Sequence, residues 1–296
     1  MTQPNYLSAI QTIAKKPKFY VILYGPPGIG KSSLAARMSS GKVDVNDPKV
    51  EPDKKLGPQE ISKQTKKTLF IIHPEEQGIN ELKSGSPEEY SGVGVMPPIP
   101  TWEALLSVNQ WLASKSPEID EVRSKYETVV YDSLTGFETI GTKFCAQEDF
   151  KGDYSSTGFF SYGKGPKTFA TRYWTDFLRS ISLVRANGFN IVLICHSQDN
   201  ITTNAMGDDY YQRTLMLGKD DIPRTTAAAE HIILMDQKAV IDKENLKSKS
   251  VGEGMRLMYC SPAPAHVAKG KGLPSMISMG ESPDETWSNL KPYLYK

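Results

Sequence analysis

A glycine-rich stretch followed by lysine and serine carries the most specific chemistry in this sequence. It runs from Gly25 to Ser32 and has the spacing G-x-x-x-x-G-K-S. Glycines in such a loop let successive backbone N–H groups point toward one centre, where they hold phosphate oxygens. The spacing predicts that Lys31 reaches the outer phosphates of a nucleotide and that Ser32 ligates Mg²⁺. We therefore expect a site for ATP and Mg²⁺, formed by Gly25, Pro26, Pro27, Gly28, Ile29, Gly30, Lys31, Ser32 and Ser33.

The residues on either side of this loop favour the same interpretation. An apolar run at 19–24 precedes it, as a buried strand would, and the helix-compatible segment 33–38 follows it. The alternative is a glycine-rich turn that binds nothing. A strand, a loop and a helix in this order are the context in which the P-loop motif is specific. Pattern and context together predict a phosphate-binding loop.

Carboxylates follow two further apolar runs. Glu75 and Glu76 come just after the run 68–72, and the segment 126–133 ends in Asp132 and Ser133. Ligands of open α/β sheets bind at the carboxyl ends of the strands, so these carboxylates are candidates for the same site. Asp132 has the position of a Walker B acid, which would hold Mg²⁺ opposite Ser32.

A third apolar run, 190–194, ends in polar residues that include His196 and Gln198. Either side chain could sense the terminal phosphate or position the attacking water. The alternative for His196 is a hydrogen-bonded structural role, which is common for a single histidine. Its place at a strand end favours a role in the site.

The segment 151–167 combines glycines with aromatic rings and lysines, among them Phe159, Phe160, Tyr162, Lys164 and Lys167. Such a segment can follow a nucleic-acid backbone by charge while its rings stack on bases. The alternative is a surface loop whose phenylalanines pack inward, because stacking rings and core rings look alike in a sequence. Both interpretations stay open from the sequence.

The elements that must position these residues alternate between strands and helices. Strands are predicted near 19–24, 68–72, 126–133, 190–198, 231–235 and 256–260, and helices near 6–15, 33–38, 101–112, 134–150, 169–186 and 224–230. Loops are predicted at 83–100, 151–167, 199–219 and 242–254. This alternation predicts an α/β fold with a mostly parallel sheet flanked by helices and a C-terminal antiparallel extension. We expect one domain over 1–296, with a polar insertion at 41–67 and C-terminal strands and a tail at 236–296.

Composition narrows the class of protein. The formal net charge is +1, so any polyanion site must be a local patch. The three cysteines are odd in number and far apart, which fits a reducing compartment and makes neither a disulfide framework nor a zinc cluster. No apolar run has the length of a membrane span, and the N-terminus lacks a signal-peptide core. We expect a cytoplasmic protein without a membrane partner.

Taken in order, the P-loop, the strand ends at Glu75-Glu76, Asp132 and His196, and the turn Lys269-Gly-Lys271 resemble phage-encoded RecA-like ATPases. That group is often labelled AAA domain NTPases and includes minimal single-strand DNA recombinases. The resemblance covers roughly residues 17–275, although only the P-loop is specific by itself. It implies a RecA-like P-loop NTPase core that hydrolyses ATP, binds single-stranded DNA and assembles into a homo-oligomer.

The resemblance also implies roles for individual residues. Lys31 and Ser32 hold phosphate and Mg²⁺, and Asp132 is the Walker B acid. Glu76 is the base for the attacking water, with Glu75 as the alternative. The segments 151–167 and 200–218 fall where such proteins place DNA-binding loops, which adds Arg213 to the candidate DNA contacts. His196 or Gln198 matches the sensor at a strand end. Lys269 and Lys271 fall where such proteins can insert a basic residue into the ATP site of a neighbouring subunit.

Two other functions remain open at this point. AAA+ proteins, including helicase loaders, share the wording of this P-loop, so the chain could be an ATP-switched loader or adaptor that acts on a protein partner. Asp132 is followed by Ser133, however, whereas AAA+ enzymes typically place the catalytic Glu there. A small-molecule kinase is the third candidate, and the sequence offers no arginine-bearing lid for it.

Overall fold

The computed structural model describes residues 18–39, 67–203, 207–240 and 251–295. The helix predicted at 6–15, all of the 41–67 insertion except Lys67, and most of the loop predicted at 242–254 lie outside the described residues.

Strands and helices alternate through most of the described chain. The strands are β1 (Tyr20–Gly25), β2 (Thr68–Ile72), β3 (Gly94–Val95), β4 (Thr128–Asp132), β5 (Asn190–Thr202), β6 (Tyr210–Leu215), β7 (His231–Val240), β8 (Val251–Tyr259), β9 (Lys269–Gly270) and β10 (Met276–Ser278). The helices are α1 (Lys31–Ala35), α2 (Gly78–Gly85), α3 (Trp102–Ala113), α4 (Pro117–Lys125), α5 (Leu134–Asp149), α6 (Lys164–Thr168), α7 (Thr175–Ala186), α8 (Asp221–Ala228) and α9 (Pro283–Leu294). A π-helical turn, Phe169–Trp174, joins α6 to α7.

One sheet orders its strands β10-β8-β7-β1-β5-β4-β2-β3, with β6 paired to β5 and β9 paired to β7. The pairs among β7, β1, β5, β4, β2 and β3 are parallel. The pairs that involve β6, β8, β9 and β10 are antiparallel. The predicted fold class, a mostly parallel sheet with helices and a C-terminal antiparallel extension, is confirmed.

The central strands are apolar along their whole length because both faces of the sheet are covered. On β1, Tyr20, Ile22 and Tyr24 pack into the core on one side of the sheet. Val21 and Leu23 pack into the core on the other side. The first core is closed mainly by α3, α5 and α7, and the second by α1 and α9. The P-loop strand is therefore held from both sides, which fixes the place of the loop that follows it.

Several sequence expectations about connecting segments were wrong. The segment 83–100, predicted as a loop, contains the end of α2 and all of β3. The segment 199–219, also predicted as a loop, is largely a hairpin, because β5 continues to Thr202 and pairs with β6. In the segment 151–167, α6 begins at Lys164. Helices α4 and α9 had not been predicted.

None of the helices in the described ranges combines the length and the apolar character needed to cross a bilayer.

Candidate nucleotide site at the sheet edge

The P-loop connects the end of β1 to the start of α1. Gly28 and Gly30 have φ of 76° and 106°, in the left-handed region that favours glycine. Lys31 folds back over the loop, and its Nζ donates hydrogen bonds to the backbone oxygens of Gly25 at 2.9 Å and Pro26 at 2.8 Å. Burial lowers the pKa of Lys31. The ammonium group of Lys31 thus lies against the backbone of the loop that would bind a phosphate.

Ser32 and Asp132 meet beside the loop. The Ser32 hydroxyl donates to Asp132 Oδ2 at 2.8 Å. Asp132 is only 3% exposed, and this burial raises the pKa of its carboxyl group to about 6. A hydroxyl and a carboxylate are the hard oxygen ligands that Mg²⁺ prefers, and a bound cation would offset the burial of the charge. The donor set of this pair therefore fits Mg²⁺.

Strand register explains why residues so far apart in sequence come together. Gly25 at the end of β1 lies beside His196 on β5. Asp132 at the end of β4 pairs with Ile194 on one side and with Ile72 on the other. All these strands are parallel, so their carboxyl ends share one edge of the sheet.

Glu76 is held at this edge by two side chains from neighbouring strands. Its Oε1 accepts a hydrogen bond from Ser133 Oγ at 2.5 Å and lies 3.0 Å from His196 Nε2. The hydrogen bond from His196 is the largest cause of the lowered pKa of Glu76, and Ser133 adds to it while partial burial opposes it. At neutral pH Glu76 is therefore a fixed carboxylate.

The two adjacent glutamates differ in their surroundings. The side chain of Glu75 is exposed, and its backbone N–H donates to His73 Nδ1 at 3.3 Å. The sequence left the choice of base open between them. The contacts to Ser133 and His196 distinguish Glu76 as the carboxylate that faces the other site residues. We call Lys31, Ser32, Glu76, Asp132 and His196 the sheet-edge site.

Gln198 is not part of this group. Its Nε2 donates to the backbone oxygens of Leu215 at 3.1 Å and Leu217 at 3.0 Å, where it holds the end of β6. Of the two candidate sensors, only His196 contacts a residue of the sheet-edge site. The sequence could not separate them, because they lie two residues apart on one strand and so share a face.

Ser133 has a role that the sequence analysis had not assigned. It is the N-cap of α5, where its Oγ accepts from the Gly136 N–H at 3.3 Å while donating to Glu76. Serine is a preferred N-cap residue, so its position before a predicted helix was a usable signal for the cap. Its bond to Glu76 depends on the register of β4 and β2.

Some of the candidate DNA-contacting residues are buried and others are exposed. Phe159 is 0% exposed, so its expected stacking on a base was wrong for this arrangement of the chain. Phe160 is 47% exposed and Tyr162 is 97% exposed. Lys164 and Lys167 are exposed on α6. Tyr154, which the sequence analysis had not singled out, contacts Phe160 edge to face with ring centroids 5.0 Å apart.

Arg213 is neutralised by two carboxylates of its own chain. Its Nε donates to Asp199 Oδ1 at 2.8 Å and its Nη2 to Asp199 Oδ2 at 3.0 Å, and its Nη1 bonds to Asp236. The expected loop position of Arg213 was wrong, because it lies within β6, and its charge is already offset by the two aspartates. Its paired aspartates lie on β5 and β7.

The two C-terminal lysines also differ. Lys269 Nζ donates to the backbone oxygen of Ala229 at 2.7 Å and that of Thr226 at 3.3 Å, at the end of α8. Its ammonium group is thus engaged within its own chain, and its action on a neighbour stays a prediction. Lys271 is exposed.

Comparison with known proteins gives one family. The family model described as AAA domain matches residues 58–271, which is more than half of the chain. This span contains Glu76, Asp132 and His196 and begins after the P-loop, so the loop is an independent observation. No curated protein matches the chain. The AAA domain match and the geometry of the P-loop agree, and the chain belongs to this AAA domain family of nucleotide-binding P-loop NTPases.

Proposed function

We propose that this chain is a Mg²⁺-dependent ATPase that single-stranded DNA stimulates and that works as a homo-oligomer. The observation that carries the hydrolytic part is the position of Glu76 beside the P-loop and the Ser32–Asp132 pair. The resemblance to phage-encoded RecA-like ATPases supports a role in phage recombination or replication.

The sheet-edge site supports a direct path for hydrolysis. Both hydrogen bonds to Glu76 end on Oε1, so Oε2 is the atom that takes a proton from water. The water oxygen bonds to the terminal phosphorus, the bond from that phosphorus to its bridging oxygen breaks, and ADP leaves with the electron pair. Lys31 exchanges its two backbone contacts for phosphate oxygens. Mg²⁺ held by Ser32 and Asp132 supplies charge compensation for the phosphates.

The DNA part of the proposal depends on the exposed face of the segment 151–167. Phe160 and Tyr162 present rings to solvent, and Lys164 and Lys167 add two exposed cations next to them. Rings that stack on bases and cations that follow the phosphates are the two components of sequence-tolerant binding to single strands. This surface supports single-stranded DNA as the partner.

Steady-state ATPase activity tests both parts. We would measure turnover with Mg²⁺ alone, with single-stranded DNA and with duplex DNA, in the wild type and in Lys31→Ala, Glu76→Gln and Glu75→Gln. We expect stimulation by single strands and the loss of turnover in Lys31→Ala. Glu76→Gln should lose about 10²- to 10⁴-fold in kcat, as expected when a general base is removed. Glu75→Gln is the matched control and should stay near wild type.

Normal turnover by Lys31→Ala would refute the site, and equal losses in the two glutamine variants would refute Glu76 as the base. ATPase activity that does not change when DNA is added would refute only the DNA part of the proposal.

A second candidate is an ATP-switched adaptor that acts on a protein partner. The observation that favours it is a pair of exposed apolar residues on the β5–β6 hairpin, Ile201 and Tyr211, which lie opposite each other in the register. Exposed apolar side chains in one patch are typical of protein contacts. Two results together would support this function. DNA would leave ATP hydrolysis unchanged, and Ile201→Ser would reduce the stimulation of ATP hydrolysis by a protein partner.

A further inference from the structure

The sheet-edge site occupies only one flank of the P-loop. In the strand order, β5, β4 and β2 lie on one side of β1; His196 lies on β5, Asp132 ends β4, and Glu76 lies in the segment after β2. Strands β7, β8 and β10 lie on the other side. A nucleotide whose terminal phosphate lies next to Glu76 leaves its α-phosphate and ribose to be bound by other residues. The β7 flank of the loop is the place to look for them.

Arg256 on β8 reaches the P-loop from this flank. Its Nη1 lies 3.9 Å from the position that a Cβ on Gly30 would occupy. The methyl carbon of Met279 lies at the same distance from that position. The sequence analysis had singled out neither residue, because β8 lies more than two hundred residues after the loop and shares no motif with it. A cation therefore flanks the phosphate cradle on the side opposite Glu76.

The guanidinium group is oriented by backbone carbonyls. Its Nη2 donates to the oxygens of Gly280 at 3.2 Å and Glu281 at 3.3 Å. Among the described residues no carboxylate forms an ion pair with Arg256, in contrast to Arg37 and Arg213. Within the described ranges its charge is therefore not offset by a carboxylate and can meet an anionic ligand. Arginine suits that role because its fork of donors matches phosphate oxygens.

The turn that supplies these carbonyls is itself fixed. Met279 N–H donates to the Arg256 oxygen at 3.0 Å, which ties the turn to β8. Ser282 caps α9 by accepting from the Glu285 N–H at 3.1 Å, and Glu285 Oε2 accepts from the Glu281 N–H at 2.9 Å. The first bond is the N-cap bond of a capping box, and the second holds the N–H of the residue just before the cap. Arg256 is thus held in place before any ligand arrives.

We propose that Arg256 is a nucleotide-binding residue that contacts the α-phosphate and ribose part of the bound nucleotide beside Gly30. This inference rests on the proposed ATP-binding function and adds the residue that recognises the nucleoside side of the ligand. Arg256 acts in binding, whereas Glu76 acts on the water.

Calorimetric titration with ATP, ADP and inorganic pyrophosphate in the presence of Mg²⁺ tests it. We expect Arg256→Gln to weaken ATP and ADP at least tenfold and to change pyrophosphate binding less than twofold, since pyrophosphate lacks the contacted part. The ATPase of this variant should show a raised KM and an unchanged kcat. Arg224→Gln is the matched control, because Arg224 also donates to a backbone carbonyl, that of Asp220, but lies on α8. It should bind all three ligands as the wild type does.

Wild-type ATP and ADP affinities in Arg256→Gln would overturn the inference, and so would an equal loss for pyrophosphate. If that variant does not fold, Arg256→Lys decides, because a lysine cannot hold the two carbonyls and the ligand together. Wild-type ATP affinity in Arg256→Lys would then overturn the inference. ATP binding that depends on Arg256 in a protein without turnover would refute the proposed hydrolysis and support this inference. A wild type that binds no nucleotide would overturn both.

Discussion

The sheet-edge site and the aromatic segment, residues 151–163, both contain candidate residues from the sequence, yet they differ in how those residues are placed. In the sheet-edge site, side chains at or just after the carboxyl ends of the parallel strands converge in hydrogen bonds of 2.5–3.0 Å. In the aromatic segment, the adjacent Phe159 and Phe160 are 0% and 47% exposed. Backbone pairing between strands fixes the positions of the residues at the strand ends. In a turn, the local backbone conformation determines for each residue whether its ring is buried.

Phe159 enters the core because the chain next to it leaves room for its ring. A Cβ on Gly165 would lie 2.2 Å from the Phe159 oxygen, so only glycine allows this close approach. The ring stacks with Tyr154 at 5.2 Å between centroids and meets Phe150 edge to face at 5.5 Å. Tyr162, three residues later, has a φ of 49° and points to solvent. The two aromatic residues therefore differ in placement: Phe159 packs in the core, and Tyr162 is exposed to solvent.

The largest expected effect comes from removing the buried ring. Phe159→Ala should lower the free energy of unfolding by about 3–5 kcal/mol, because it leaves a cavity under the aromatic segment. Denaturant unfolding measures this loss. Tyr162→Ala is the control from the same segment and should change the free energy of unfolding by less than about 0.5 kcal/mol. Equal losses in the two variants would mean that burial does not separate these residues.

A smaller effect is expected from Tyr162 in DNA binding. Tyr162→Ala should weaken the binding of single-stranded DNA by about 1–3 kcal/mol, the range found for one stacked base. Fluorescence anisotropy with a labelled oligonucleotide at fixed salt measures the change. Arg213→Gln is the comparison, since the charge of Arg213 is already neutralised by Asp199 and Asp236, and it should leave the affinity unchanged. A larger loss in Arg213→Gln than in Tyr162→Ala would reverse the assignment of the DNA surface.

Much of the fold and of the sheet-edge site could be predicted from the sequence. The parallel strands β1, β2, β4 and β5 begin as continuous apolar runs, so the runs before Gly25, Asp132 and His196 identified both the strands and their functional ends. The two-residue parallel strand β3 has no such run and was missed. Glu76 could not be separated from Glu75, because only the bonds to Ser133 and His196 distinguish them.

Hydrogen-bond and ion-pair partners that lie on distant elements could not be predicted from the sequence. The pairing of Arg213 with Asp236 requires β6 and β7 to be placed first, and the contact of Lys269 with Ala229 requires α8. Helix α9 is different, since the sequence already held its signals. Ser282 stands at the cap, proline follows it, and Glu285 completes the S-x-x-E pattern that is typical of a helix start. That helix was missed, although local rules were enough to find it.

The smallest expected effect concerns the pairing of His196 with Glu76. His196 lowers the pKa of Glu76, so His196→Ala should raise it. Glu76 accepts a proton only as a carboxylate, and activity is therefore lost as the pH falls through its pKa. With a raised pKa this loss begins at a higher pH, and a shift of one unit corresponds to about 1.4 kcal/mol.

The acid side of the pH profile of kcat/KM, measured with and without the substitution at saturating Mg²⁺ that keeps Asp132 ionised, shows whether that shift occurs. Gln198→Ala is the matched control, because Gln198 lies on the same strand but holds only Leu215 and Leu217. Its profile should coincide with that of the wild type on the acid side. If His196→Ala lowers activity equally at every pH, His196 acts without tuning Glu76. Strand register would then still position the residues of the sheet-edge site, unlike those of the aromatic segment. The pKa of Glu76 would be set by groups other than His196.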